Sequence, residues 1–206
     1  MVIAETFNGL VGRYTEDTAL IEKLWTELAG YYSEKGRHYH NLDHLNALLG
    51  QILSQKDRVK DLDAILFALY YHDAVHRVSR KDNEERSALL AHKRLGVLKL
   101  QKDRIEVCKK HILATKAHEF SDNADTNLFT DADLSILGQD WDTYRDYAEK
   151  IRREYSIYPD LVYNPGRKKV LEHLLQMEKI YKTDPFFAKF EHQARLNLRK
   201  ELTALI

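Results

Sequence analysis

Cysteine is nearly absent from the chain, which removes two classes of stabilising site. Cys108 is the only cysteine among 206 residues, so no internal disulfide can form and a zinc site built from several thiolates is excluded. Proline and glycine are also scarce, at 3 and 8 residues, and these two residues most often force a chain out of helical geometry. Their scarcity favours long, uninterrupted helices.

A surplus of either charge is also missing. The 32 basic residues balance the 32 acidic residues, so no nucleic-acid polymer is expected as a partner and a small substrate is favoured. Apolar runs such as residues 64 to 71 are far shorter than the roughly 20 residues of a bilayer span, and the amino terminus lacks the layout of a signal peptide. We therefore expect a soluble, cytoplasmic protein with no membrane partner, and a homo-oligomer is compatible with the sequence.

Apolar residues make up 44% of the chain, and they recur at spacings of three and four rather than two. This period predicts an all-α fold without strands, and the length suits a single domain, residues 1–206. Residues 155–163, rich in tyrosine, are predicted to form an ordered irregular loop. The nine predicted helices cover about residues 17–33, 41–55, 59–75, 82–98, 102–118, 125–137, 140–155, 167–181 and 185–205.

Capping residues mark several of these helix ends. Asn41 suits an N-cap, which places His44 in the first helical turn. Asp184 and Pro185 stand in the order of a capping carboxylate followed by a proline at the first helical position. Gly138 suits the end of a helix, where glycine is common.

Four ligand-type residues are spread through the predicted helices: His44, the adjacent pair His72 and Asp73, and Asp133. The pair interrupts an otherwise apolar stretch, where two ionisable side chains are costly to bury unless they have a partner. A divalent metal ion is a favourable partner for imidazole and carboxylate together. The sequence therefore predicts a metal site, to which either Asp131 or Asp133 contributes, since the two aspartates face different ways on a helix.

In this order, His44, then His72-Asp73, then Asp133, the chain resembles the HD superfamily of metal-dependent phosphohydrolases. The similarity is greatest to its stand-alone members of about 200 residues. It extends over five blocks, which begin at Arg37 (Arg-His-Tyr-His-Asn), Tyr71 (Tyr-His-Asp-Ala), Asn83 (Asn-Glu-Glu-Arg-Ser-Ala), Asp131 (Asp-Ala-Asp-Leu-Ser-Ile-Leu-Gly) and Glu191 (Glu-His-Gln-Ala-Arg-Leu-Asn-Leu).

The resemblance implies an HD-type helical bundle, with a metal-ligand core at about residues 37–138 and a helical elaboration at about 139–206. It implies that His44, His72, Asp73 and Asp133 hold the metal, with Asp133 preferred over Asp131 because the residues after it resemble those after the last ligand in related enzymes. Members with two metals carry a further histidine where this chain has Asn83. One divalent ion per chain, of Mn, Mg, Co, Ni, Zn or Fe, is therefore expected.

Hydrolysis of a small phosphate ester, most simply a nucleotide, is the reaction that such a site would perform. Asp73 is expected to bind the ion and help to position the attacking water, and Glu84 to donate a proton to the leaving oxygen. The predicted substrate-binding residues are Arg37 and Lys116, which would hold phosphoryl oxygens, together with His40 and His118. His111 and Thr115, which share a helical face with His118, are expected to reach the site from a neighbouring helix, or equally to bind phosphate or a second ion. His76 is expected to be structural.

Two other functions fit the same residues. One is an HD-type di-iron oxygenase, which needs histidine ligands beyond the basic four. The other is a non-catalytic module that is stabilised by its metal and binds a nucleotide without turning it over.

Overall fold

The computed structural model describes residues 2–205 and confirms the all-α prediction for them, with no strand in that range. Within residues 2–205, two short 3₁₀ helices, Lys56–Arg58 and Leu134–Gly138, accompany ten α-helices. The α-helices are α1 (Val2–Val11), α2 (Thr18–Tyr32), α3 (Leu42–Ser54), α4 (Leu62–Tyr71), α5 (Asn83–Val97), α6 (Lys102–Ala114), α7 (Ala124–Asp133), α8 (Trp141–Glu154), α9 (Asp160–Gln176) and α10 (Asp184–Ala204).

The first helix, α1, was not among the nine predicted. Its buried residues Ile3, Phe7, Leu10 and Val11 follow helical spacing, so the period was present in the sequence. The adjacent Asn8 and Gly9 have low helix propensity and weaken the pattern, but burial of the apolar face stabilises the helix nonetheless.

The chain divides into two compact units, residues 1–130 (unit 1) and residues 131–206 (unit 2). In unit 1, α4 is the central helix and packs against α1, α3, α5 and α6. Every residue from Ala64 to Tyr71 is buried, which explains why this helix is apolar on all faces. The single-domain organisation stays a prediction.

The central helix α4 is shorter than predicted at both ends. Asp125 accepts hydrogen bonds from the backbone N–H groups of Lys60 and Asp61, and Asp61 caps the helix by accepting from Ala64 N at 3.1 Å. At the other end the helix stops at Tyr71, so His72 is the C-cap residue and Asp73 lies in the turn beyond. The doublet is therefore placed at a helix end rather than within a helix.

Unit 2 corrects three local predictions. Helix α9 begins at Asp160, so the predicted irregular loop ends earlier than expected. The helix also contains Pro165, and the backbone hydrogen bond that a proline cannot donate is missing near the exposed start of the helix. Helix α10 has Thr183, not Asp184, as its N-cap. Gly138 ends the second 3₁₀ helix, where a Cβ would lie only 2.5 Å from Cβ of Phe190, so its role is close packing.

Among residues 2–205, none of the helices combines the length and the apolar character that crossing a membrane requires.

Candidate metal centre

His44 lies in the first turn of α3, as predicted from Asn41. The side-chain oxygen of Asn41 accepts hydrogen bonds from the backbone N–H of Asp43 at 2.9 Å and of His44 at 3.3 Å. This cap fixes the start of the helix, and the ring of His44 is buried with the ring of Tyr39 at a centroid distance of 5.0 Å. The imidazole is thus held in a defined place.

The end of α4 allows the two members of the doublet to converge. Neighbouring side chains on a helix point about 100° apart, but Asp73 follows the helix end, and its backbone N–H donates to Oη of Tyr32 at 3.3 Å. As a result, Nε2 of His72 lies 3.1 Å from Oδ2 of Asp73 and 3.2 Å from Nε2 of His44. Nε2 of His72 therefore lies close to both of the other potential ligand atoms.

The other ring nitrogen of His72 decides which form of the ring is present. Nδ1 lies 2.9 Å from the carbonyl oxygen of Leu69, and a carbonyl only accepts, so Nδ1 carries the hydrogen. In the neutral ring Nε2 then carries no hydrogen, and its lone pair faces the carboxylate of Asp73. Two such atoms 3.1 Å apart repel each other unless a proton or a metal cation lies between them.

These distances suit a metal ion. Imidazole nitrogen and carboxylate oxygen bind zinc-like ions at about 2.1 Å, so neighbouring ligand atoms on one ion lie about 3 Å apart. A metal-bound histidine also commonly donates its second N–H to a backbone carbonyl, as His72 does to Leu69. The residues present therefore fit a divalent cation.

The carboxylate of Asp73 is kept in its charged form. Burial acts to raise the pKa of this group, but His72, His40 and His76 outweigh the burial and hold the pKa of Asp73 well below its usual range. A deprotonated carboxylate is the form that binds a metal.

His40 and His76 also lie close to Asp73. Nε2 of His40 is 3.9 Å from Oδ2 of Asp73, and the rings of His40 and His76 stack with centroids 4.3 Å apart. The sequence pointed to His40 as a substrate-binding residue and to His76 as structural. The spacing of four residues between His72 and His76 is the signal in the sequence that could have brought His76 to the site.

Arg37 connects the two segments that carry these residues. Its Nη1 donates to the carbonyl oxygens of His40 at 3.1 Å and of Asp73 at 2.7 Å, and Nη2 donates to that of Ala74 at 2.8 Å. The guanidinium also lies over the ring of Tyr32, 5.2 Å from its centroid. Arg37 thus orients the backbone of the site, and its predicted contact with phosphoryl oxygens stays a prediction.

The start of α5 holds the turn that contains His76. The Asn83 side chain accepts from Arg77 N and donates to Arg77 O, both at 3.0 Å. The Ser87 hydroxyl accepts from Val75 N at 3.0 Å and donates to Val75 O at 3.3 Å. Asn83 and Ser87 belong to one of the motif blocks, but their role as backbone anchors could not be predicted from the motif.

Three other predicted site residues lie around the ends of α5 and α6. Lys116 forms an ion pair with Glu85 and donates to the carbonyl oxygen of Lys81 at 3.0 Å, and Glu84 is a partly exposed residue of the first turn of α5. Helix α6 ends before His118, which has a left-handed φ of 54°, so His118 does not share a helical face with His111. The catalytic role of Glu84 and the substrate-binding roles of Lys116 and His118 stay predictions.

His111 is a buried histidine on α6. Its Nδ1 lies 2.9 Å from Oγ1 of Thr126, and its ring is 6.3 Å from that of Phe129, both on α7. In the described part of the chain Nε2 of His111 is buried and has no hydrogen-bond partner. Burial lowers the pKa of His111 to about 4, so the ring is neutral at neutral pH.

The two aspartates at the end of α7 differ in their burial, and Asp131 accepts several hydrogen bonds from residues of unit 2. Asp131 is fully buried and accepts from the backbone N–H groups of Lys182 at 2.9 Å and Thr183 at 2.7 Å. It also accepts from the Thr183 hydroxyl at 2.7 Å and from Nζ of Lys182 at 3.2 Å. Asp133, the last residue of α7, is only partly buried. The carboxylate of Asp131 is therefore structural.

Two groups of histidine and acidic side chains in residues 2–205 have ligand atoms within 4.8 Å of one another, close enough to hold a metal ion. Of the unit 1 residues, His44 and His72 belong to one group, and His40 and His76 belong to the other. A capacity to bind metal is thus present in the structure.

Comparison of the chain with models of protein families, with curated proteins and with solved structures finds no match.

Proposed function

We propose that the chain is a metal-dependent phosphohydrolase of the HD type that acts on a small phosphate ester, most simply a nucleotide. The observation that supports it best is the set of atoms around Nε2 of His72, which lies about 3 Å from both His44 and Asp73. The hydrogen bond from Nδ1 of His72 to Leu69 directs a lone pair toward those atoms. We further assign the protein to the cytoplasm.

Asp133 is proposed as the second carboxylate ligand. The ring of Phe129 on α7 meets the ring of His72 edge-on, at a centroid distance of 5.8 Å. Asp133 follows Phe129 by four residues on the same helix, and side chains four residues apart share a face. Asp131 is committed to Lys182 and Thr183, which favours Asp133 over it.

The bound ion would lower the pKa of a water molecule and offset the charge that develops on the phosphoryl oxygens. Asp73 has a second carboxylate oxygen with which to orient that water. His40, 3.9 Å from Asp73, is proposed to contact the substrate or its water. Glu84 is proposed as proton donor to the leaving oxygen, and Lys116 and His118 as contacts to the phosphate.

A screen for hydrolysis tests the proposal. Purified protein should release phosphate or a nucleoside from a panel of nucleotides, diesters and pyrophosphates in the presence of Mn, Mg, Co or Ni. His72→Ala should bind the metal poorly and lose about 1000-fold or more in rate, since metal catalysis supplies several kcal/mol. His92→Ala is the matched control, because His92 is exposed on α5, where its ring pairs with the equally exposed Glu106.

No turnover with any of these metals, or full activity in His72→Ala, would contradict the proposal. Tight nucleotide binding without any product would instead favour the non-catalytic binding module.

A di-iron oxygenase is the second candidate, and one observation favours it. Such enzymes need histidines beyond the basic ligands, and His40 and His76 lie next to Asp73. Bound iron, together with a reaction that consumes dioxygen and stops under nitrogen, would distinguish this function from hydrolysis.

A further inference from the structure

Three cationic side chains lie close together in the turn at residues 77–81. Arg77, Arg80 and Lys81 are exposed, and among residues 2–205 these three side chains form no ion pair. The turn falls between two of the motif blocks, which end at Ala74 and resume at Asn83. The resemblance to known proteins therefore assigns no role to these cations.

The cationic turn begins at the edge of the proposed metal centre. It follows His76 directly, and the ring of His76 stacks on that of His40 with the centroids 4.3 Å apart. Nε2 of His40 lies 3.9 Å from Oδ2 of Asp73. A molecule whose phosphate reaches the metal centre would therefore extend past the start of the turn.

The backbone of the cationic turn is fixed at both ends. The N–H of Arg80 donates to the carbonyl oxygen of Arg77 at 3.0 Å, and the side chain of Asn83 pairs with the N–H and the carbonyl of Arg77. At the other end, Nζ of Lys116 donates to the carbonyl oxygen of Lys81 at 3.0 Å. A ligand bound here would order little backbone, which favours binding.

The acidic residues that follow the turn do not neutralise its cations. Asp82 forms an ion pair with Arg86, and Glu85 forms one with Lys116, which leaves Glu84 as the remaining acid of residues 77–86. Three cations then face one carboxylate, in a chain whose 32 basic and 32 acidic residues balance overall. The local potential beside the metal centre is therefore positive and attracts anions.

We propose that Arg77, Arg80 and Lys81 bind a further phosphate group of the substrate, which is then a phosphate ester with two or more phosphates, such as a nucleoside di- or triphosphate. The inference rests on the proposed function, in which the metal centre holds the phosphate that is hydrolysed. The planar fork of arginine and the point charge of lysine both suit phosphate oxygens. A monophosphate held at the metal centre would leave these cations without a partner.

The test is the binding of ATP, AMP and inorganic tripolyphosphate, measured by isothermal titration calorimetry in EDTA at low ionic strength. Wild-type protein should bind ATP about 10-fold or more tightly than AMP, and it should also bind tripolyphosphate, because the turn contacts phosphates rather than a base. Arg80→Gln/Lys81→Gln should lose about 10-fold in affinity for ATP and change little for AMP, since it removes two exposed charge pairs.

Lys168→Gln/Lys169→Gln is the matched control. It also removes two exposed cations, but from α9 in unit 2, and it should bind ATP as tightly as wild type. Added salt should weaken the binding of ATP to wild type more than to Arg80→Gln/Lys81→Gln, because salt screens exposed charges. Circular dichroism checks that both double variants are folded.

Equal affinity of wild type for ATP and AMP, or unchanged affinity for ATP in Arg80→Gln/Lys81→Gln, would overturn the assignment. An equal loss in Lys168→Gln/Lys169→Gln would also overturn it, because the attraction would then depend on total charge alone. These measurements need neither bound metal nor turnover. Preferential binding of ATP through the turn, together with no hydrolysis in the metal screen, would support the phosphate site and contradict the proposed function.

Discussion

Two buried or partly buried carboxylates, one in each unit, are treated very differently by the chain. Asp131 in unit 2 accepts hydrogen bonds from two backbone N–H groups, a hydroxyl and the ammonium of Lys182. Asp73 in unit 1 faces ring nitrogens of His72 and His40 instead. The charge of Asp131 is satisfied by hydrogen-bond donors of the protein, whereas Asp73 faces imidazole nitrogens, which favour its charge when a proton or a metal cation lies between them.

This difference separates a structural acid from a proposed metal ligand more clearly than sequence position does. Both aspartates lie in motif blocks, and both are close to the end of a helix. They differ in the hydrogen-bond donors that surround each carboxylate, and these donors belong to residues distant in sequence.

The largest expected effect comes from removing the charge of Asp131. Asp131→Asn leaves the buried ammonium of Lys182 without its partner and puts an amide N–H₂ against N–H donors, so we expect a loss of about 3–5 kcal/mol in the free energy of unfolding. Asp73→Asn should change that free energy by less than about 1 kcal/mol when no metal is present, because the amide can donate to Nε2 of His72. Denaturant unfolding of both variants in EDTA measures the two values.

Metal binding should rank the same two variants in the opposite order. Asp73→Asn should lose bound Mn²⁺, and Asp131→Asn, at a temperature where it is folded, should keep it. Equal destabilisation by the two substitutions would show that Asp73 is as structural as Asp131 and would contradict the proposed difference between them.

His111 is a buried group of unit 1 whose charged form the protein does not stabilise. Its pKa is lowered to about 4 by burial, while the unfolded chain has the ordinary value of about 6.5. Between these values the unfolded state binds more protons, so the stabilisation is complete above pH 6.5 and is lost as the pH falls toward 4. The full difference amounts to about 3 kcal/mol.

Unfolding free energies of wild type and His111→Gln, measured in EDTA from pH 7.5 to pH 4.5, test this expectation. The difference between the two proteins should shrink as the pH falls, since only the wild type loses this contribution. A constant difference across the range would mean that the buried ring is protonated as readily as in the unfolded chain. The comparison with Gln also keeps a polar side chain next to Thr126.

The all-helical fold and the capped start of α3 at His44 were predictable because each depends on neighbours in sequence. The end of α4 at Tyr71 was not, because it depends on Tyr32, Ser87 and other groups that bond to the turn from distant helices. The sequence therefore identified His72 and Asp73 as a pair but not the turn that makes them converge.

The positions of His76 and Arg37 also could not be predicted from the sequence, for two different reasons. If α4 is assumed to continue past His72, His76 is expected to be an ordinary structural residue of that helix. The observed turn instead brings His76 beside His40. Arginine beside a histidine motif suggests a phosphate clamp, since its planar fork suits phosphoryl oxygens. The same fork suits backbone carbonyls, and the sequence does not distinguish these acceptors.

The smallest expected effect comes from substitution of Arg37. It tests whether Arg37 positions the backbone of the site or contacts the substrate. Arg37→Lys keeps the charge but cannot reach the carbonyls of His40, Asp73 and Ala74 together, so we expect Mn²⁺ affinity to fall by about 10–100-fold, as for other residues that orient metal ligands. Arg86→Lys is the matched control, because Arg86 forms an exposed pair with Asp82. A titration of Mn²⁺ into each variant measures the affinity. If Arg37→Lys instead binds Mn²⁺ as tightly as wild type and raises KM for the phosphate ester, the guanidinium acts on the substrate, because a residue that only positions ligands would change metal affinity first.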